Sequence, residues 1–277
     1  MEPLFVLKVQ AGAFVGALIA LVIQIVWQRG PAKPRRLGGL VLLGGLIGAG
    51  LVQYGVPTSP FGADSLRSNE RLFWLMVAAL PLVLIAWRHV LIPLALVTPL
   101  VITNGFHDWS LADGAWVGHL AVPLGLVVLV QFGDGLFRAR PGKASAMQLG
   151  LWAGLISAAI GATGSQTYAL WMGGMGVAFG LSVLWAWRKW NAGLIDGGSL
   201  ALWTGAFVWL ATSYSELKGL DALLIVSALP LSLISRAVPL KPKAQAILGW
   251  VVLLAPFVVA GVRIALAWES DPYADYY

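Results

Sequence analysis

Apolar runs of roughly 15–23 residues recur along the whole chain, each closed by charges, glycine or proline. Ten such segments stand out: 5–27, 37–56, 72–87, 90–106 and 116–132, then 148–162, 168–187, 199–215, 220–235 and 246–268. These runs are solid rather than alternating, so a closed barrel of strands does not fit them. Within hydrocarbon a spanning segment must satisfy its own backbone hydrogen bonds, which leaves the α-helix. The expectation is an all-α, polytopic membrane bundle of about ten transmembrane helices, forming a single domain over residues 1–277. Only Arg88 and His89 separate the third and fourth segments, so a tight hairpin is expected there in preference to one long kinked helix. The sixth and seventh are joined by 164–167 alone, another tight turn.

Composition agrees with a lipid solvent. The chain is 59% hydrophobic and 11% charged, with a mean hydropathy of +0.82. Soluble domains carry about 25% charged residues. The first apolar run is followed, not preceded, by its basic cluster (Arg29, Lys33, Arg35, Arg36), the reverse of a cleavable signal peptide.

Charge orients the bundle. Connections after the odd-numbered segments hold 13 of the 18 basic residues, including Arg138, Arg140, Lys143, Lys241 and Lys243. The opposite connections and the termini hold ten of the twelve acids. The positive-inside rule makes the basic face cytoplasmic and leaves both termini outside. A bacterial inner membrane is the expected location. Eight of the 14 tryptophans support the map: Trp27, Trp87, Trp185 and Trp187 fall at inner ends, and Trp74, Trp109, Trp116 and Trp268 near outer ones. An indole is apolar in body with one N–H that seeks the headgroups. The net charge of +6 is therefore an orientation signal, and nucleic acid is excluded as a partner because no basic-aromatic stripe accompanies it.

Residues 77–82 (VAALPL) match 226–231 (VSALPL) at five of six positions. Both would run from outside to inside, which suggests a parallel repeat of helices one to four as seven to ten. The halves would be 5–106 and 168–268, bridged by helices within 116–162; transporters use such repeats.

Chemistry is sparse. Cysteine is absent, which removes disulfides, thiolate catalysis and Cys-ligated metals. Ionisable groups inside a membrane mark candidate sites by default. Arg263 lies one to two turns from the outer end of the last segment, where it can snorkel to headgroups or pair with Glu216, Asp221 or Glu269 to close a polar cavity. The outer loop from His107 through Asp108 and Asp113 to His119 could hold zinc or relay a proton, yet it lacks the close ligand pairs of structural zinc. No catalytic, cofactor or metal residue is assigned; His107, Asp108, Asp113, His119 and Arg263 form a candidate polar outer-face site. Gln10, Gln24, Gln53, Asn104 and Gln131 are expected to hydrogen-bond between helices, and Gly12/Gly16, Gly44/Gly48, Gly150/Gly154 and Gly176/Gly180 to mark packing faces.

Three functions fit. A small-molecule transporter or permease of unknown substrate is the first, with the bilayer as its only assigned partner. A non-catalytic subunit that anchors or assembles other membrane chains is the second. An intramembrane enzyme acting on lipid or a lipid-linked substrate is the third, and the expectation leans against catalysis because paired acids or histidines are scarce.

The topology has a direct test, aided by the cysteine-free background. Single cysteines placed at Glu2 and Asp275 are expected to react with an impermeant maleimide in intact cells, and one at Lys33 only after permeabilisation. Protection of Asp275→Cys in intact cells would reverse the orientation of the last helix.

Overall fold

The computed structural model describes residues 3–28, 38–55, 67–103, 115–139, 143–188 and 196–269. Every regular element among them is helical: α1 Pro3–Gln28, α2 Gly38–Tyr54, α3 Ser68–Thr103, α4 Ala115–Ala139, α5 Lys143–Ala162, α6 Gln166–Arg188, α7 Gly197–Tyr214, α8 Gly219–Ile234 and α9 Pro242–Glu269, with a 3-10 turn at Ser235–Ala237. Stretches Pro3–Val26, Lys143–Ala162, Gln166–Trp187 and Lys243–Ala267 are long and apolar enough to cross a membrane. Their outward surface is itself apolar: Ile19, Leu184, Val258 and Leu266 are all exposed. Water does not suit such a surface, and lipid does.

Close backbone contacts set the direction of each helix. Gly12 lies against Val52 and Gly16 against Gly44, so α1 and α2 are antiparallel. A methyl group on Gly16 would overlap the Gly44 carbonyl, and one on Gly48 the Gly12 carbonyl. Glycine there lets the two backbones touch, the packing mode of helices in lipid. α6 joins them parallel to α1: Gln10 Nε2 donates to the Leu170 carbonyl at 3.2 Å, and Ala13 faces Gly174. Gly133 against Gly197, with Leu126 against Gly205, makes α4 and α7 an antiparallel pair of the same kind.

The remaining directions follow similarly. Gly150 meets Phe179 and Gly161 meets Ala169, so α5 is antiparallel to α6. The turn between them is as short as expected: Gly164 takes φ +86°, and Ser165 N donates back to Ile160 O at 3.3 Å, closing the helix in a Schellman manner. Ser235 lies by Gly249 and Asp221 by Arg263, so α8 and α9 are antiparallel. Leu233 rests near Gly135, placing the end of α8 beside that of α4. The connections α1–α2, α4–α5, α6–α7 and α8–α9 thus leave from one end of the bundle. These are connections that the charge pattern marks as basic.

α7 is the hub. Fourteen of its 18 residues are buried, against a minority of the α9 span, and Trp203 and Phe207 are fully enclosed. Trp171 of α6 meets Phe207 edge-on at 5.7 Å and Tyr54 of α2 at 5.7 Å, tying three helices together at the end opposite the basic connections.

Two expectations need correction. First, residues 72–87 and 90–106 are not divided by a hairpin loop; helix is continuous through Arg88–His89 from Ser68 to Thr103. No glycine or other turn residue interrupts that stretch, and its three prolines (Pro81, Pro93, Pro99) lie inside the helix. Second, the glycine pairs are not equivalent. Gly12/Gly16 and Gly44/Gly48 pack backbone to backbone, whereas a Cβ on Gly154, Gly176 or Gly180 would meet nothing within 4 Å. Spacing alone marks a face, and the neighbouring helix decides whether it is used. Trp185 and Trp187 are exposed at the basic end, where the Lys143 ammonium sits 4.0 Å above the Trp187 ring. The tryptophans beyond those assigned to the belt also show their place: Trp152, Trp171 and Trp203 are fully buried core.

Gly16→Ala and Gly48→Ala are expected to destabilise by about 1–3 kcal/mol each, the cost of overpacking a tight contact. Gly176→Ala and Gly180→Ala, in open space, should be neutral or stabilising by up to about 1 kcal/mol from helix propensity. Thermal unfolding in detergent compares them, and equal losses at all four sites would contradict the contact map.

Candidate functional site

Arg263 is where the sequence placed it, near the C-terminal end of α9, and it does not merely snorkel. Its Nε donates to Asp221 Oδ1 at 2.5 Å, in a pair whose Arg side chain is 41% exposed and whose Asp side chain is 4% exposed. Asp221 stands in the first turn of α8, where a carboxylate also complements the helix dipole. A buried carboxylate in an apolar bundle is costly alone, and the guanidinium offsets that cost.

The expected polar cavity is a different object. Beside the pair lies a cavity of about 320 Å³ between α5, α8 and α9, lined by Ala158, Ala162, Ile225, Phe257, Gly261 and other apolar residues. α9 meets α5 near the basic end, where Gln148 approaches Gly249, and the two helices leave this groove nearer the other end. Small side chains on both walls create the space, so its walls are apolar although an ion pair stands next to it.

The side chains of the rest of the predicted site lie outside the described residues. His107, Asp108 and Asp113 lie outside the described residues, as does Asn104. His119 falls in the second turn of α4 by backbone, and its side chain is outside the description. Among the described residues no group of three His, Asp or Glu side chains could hold a metal ion.

The expectation for the glutamines also changes. Gln24 is completely buried, and among the described residues neither of its amide atoms has a hydrogen-bond partner; Gln10 Oε1 and Gln53 Oε1 are likewise unmatched there. Trp171 Nε1, Trp203 Nε1 and Thr204 Oγ1 join them on the faces of α6 and α7. Gln10 and Gln24 share one stripe of α1, about 21 Å apart along the axis at 1.5 Å per residue. Unmatched polar atoms therefore occur near both ends of the bundle and between them. Spacing could not reveal this, because whether an amide finds a partner depends on which helix faces it.

Two acids were overlooked as a pair. Asp134 of α4 and Asp196 are the two that depart from the acidic face, and the structure brings them together at the basic end. An oxygen of each lies 3.5 Å from the position a Cβ on Gly198 would take. Asp196 caps α7, accepting from Ser199 N at 3.0 Å and from Ser199 Oγ at 2.5 Å. An Asp three residues ahead of Ser199, just before an apolar run, is a readable helix-start signal. Its role is structural: it satisfies the first turn of the central helix.

Comparison with protein-family models, curated proteins and solved structures finds no match to this chain.

The ion pair makes a stability prediction. Arg263→Gln strands a buried carboxylate and is expected to cost about 2 kcal/mol, below the range for fully buried pairs because the arginine is part-exposed. Adding Asp221→Asn to that variant should restore part of the loss. A double variant less stable than Arg263→Gln alone, by thermal unfolding, would show that the pair is not coupled.

Proposed function

We propose that this chain is a multi-pass transporter for a small polar solute, with a pathway along the seams of α1, α2, α6 and α7. The observation that carries the reading is the set of buried, unmatched polar atoms in those helices, above all Gln24. In hydrocarbon each such atom costs up to several kcal/mol. Natural bundles avoid that cost unless water or a ligand completes the hydrogen bonds. A solute with donors and acceptors would do so at successive levels, from Gln10, Gln53 and Trp171 at one end, past Trp203 and Thr204, to Gln24 at the other.

The proposed topology is ten crossings with both termini outside, in a bacterial inner membrane. Helix direction supports it. α3 begins beside Gly50, at the end opposite the basic connections, and by Leu91 it has reached Gly198 at the basic end. α4 starts again from the first end, so on this reading the chain recrosses the bundle between Leu91 and Ala115, which supplies the tenth crossing. The parallel repeat belongs to the same proposal: Pro81 and Pro230, its matched prolines, both lie inside helices.

Proteoliposomes loaded with a panel of small polar solutes test the transport reading. Gln24→Leu and Trp203→Phe are expected to slow flux of the responsive solute about tenfold, the worth of one lost hydrogen bond in a dry site. Absence of flux for every solute, with stoichiometric co-purification of another membrane chain, would favour the subunit reading instead.

A further inference from the structure

We propose that the groove between α5, α8 and α9 holds an acyl chain of a phospholipid whose phosphate is bound by Arg263. Three observations converge on that occupant, none of which enters the transport reading. The first is shape. The cavity of about 320 Å³ is lined by Ala158, Ala162, Ile225, Phe257, Gly261 and similar apolar side chains, and Ala158 and Gly261 are exposed on the outer surface of the bundle. A groove open to the bilayer with apolar walls takes a hydrocarbon chain and rejects a polar solute.

The second is the placement of charge. Asp221 precedes Ile225 of the groove wall by one helical turn, about 6 Å along the axis. Because Arg263 reaches Asp221, its guanidinium stands just beyond the groove, toward the end of the bundle where α9 terminates. That level is one to two turns from the helix end, within reach of the headgroups.

The third is unused donor capacity. Guanidinium presents five N–H donors, and Asp221 engages Nε alone. The Nη groups have no hydrogen-bond partner among the described residues, and the side chain is 41% exposed. Nη donors match the spacing of two phosphate oxygens, so arginine binds a phosphodiester by paired, charge-assisted bonds. Asp221 takes Nε alone and leaves both Nη groups available at the mouth of the groove.

The test uses the full chain in mild detergent, incubated with phosphatidylglycerol or with diacylglycerol of the same chains, and counts bound lipid by native mass spectrometry. Phosphatidylglycerol is expected to be retained and diacylglycerol lost. Arg263→Gln should lower retention about tenfold, the value of a bidentate contact to phosphate. Gly261→Leu, which fills the groove and leaves the ion pair intact, should lower it similarly. Asp221→Asn releases the arginine and should keep or raise retention, which separates phosphate binding from a loss of fold. Wild-type retention in Arg263→Gln or Gly261→Leu overturns the proposal, as does equal loss in Arg263→Gln and Asp221→Asn. A partner helix that shields positions 158 and 261 from labelling would overturn it too.

Discussion

Backbone contact at glycine is the constraint on which the bundle depends. Gly16 against Gly44 and Gly12 against Gly48 bring α1 and α2 together without side chains between them, and Gly133 against Gly197 does the same for α4 and α7. Lipid offers no hydrophobic gain for bringing two apolar helices together, so close van der Waals contact must hold them. With those two seams fixed, α6 lies along both α1 and α2, and α7 becomes the enclosed centre. The aromatic chain Tyr54–Trp171–Phe207 then joins the two seams at one end.

Against that packed background, the polar atoms stand out by their environment rather than their number. Asp196 and Asp221 are both buried, and each is matched: one by Ser199 and the first turn of α7, the other by Arg263. Gln24 is buried and unmatched among the described residues. A charge that folding must neutralise has its partner built in, while a neutral amide can stay unmatched at a lower cost.

The lateral groove follows the opposite logic. Small residues on α5 and α9 produce close contact only where a partner backbone faces them; elsewhere the same residues leave volume. A Cβ on Gly261, in the groove wall, or on Gly154 would meet nothing within 4 Å, whereas one on Gly16 or Gly48 would meet a facing carbonyl. One residue type thus supplies the tightest seams and the emptiest wall of the same bundle.

The sequence by itself determined the solvent, the secondary structure and the distribution of charge, because hydrophobic run length and the cost of exposed backbone in lipid act locally. It also placed Arg263 near a helix end among three acids, of which Asp221 proved to be the partner. Tertiary structure decided what depends on neighbours: which glycine pairs touch, that Trp152, Trp171 and Trp203 are core, that Gln24 finds no partner, and that Asp134 and Asp196 meet over Gly198. It also decided that helix continues through Arg88–His89, since two ordinary residues without glycine carry no instruction to unwind. Spacing along one helix defines a face, and only the packing of the others gives that face something to meet.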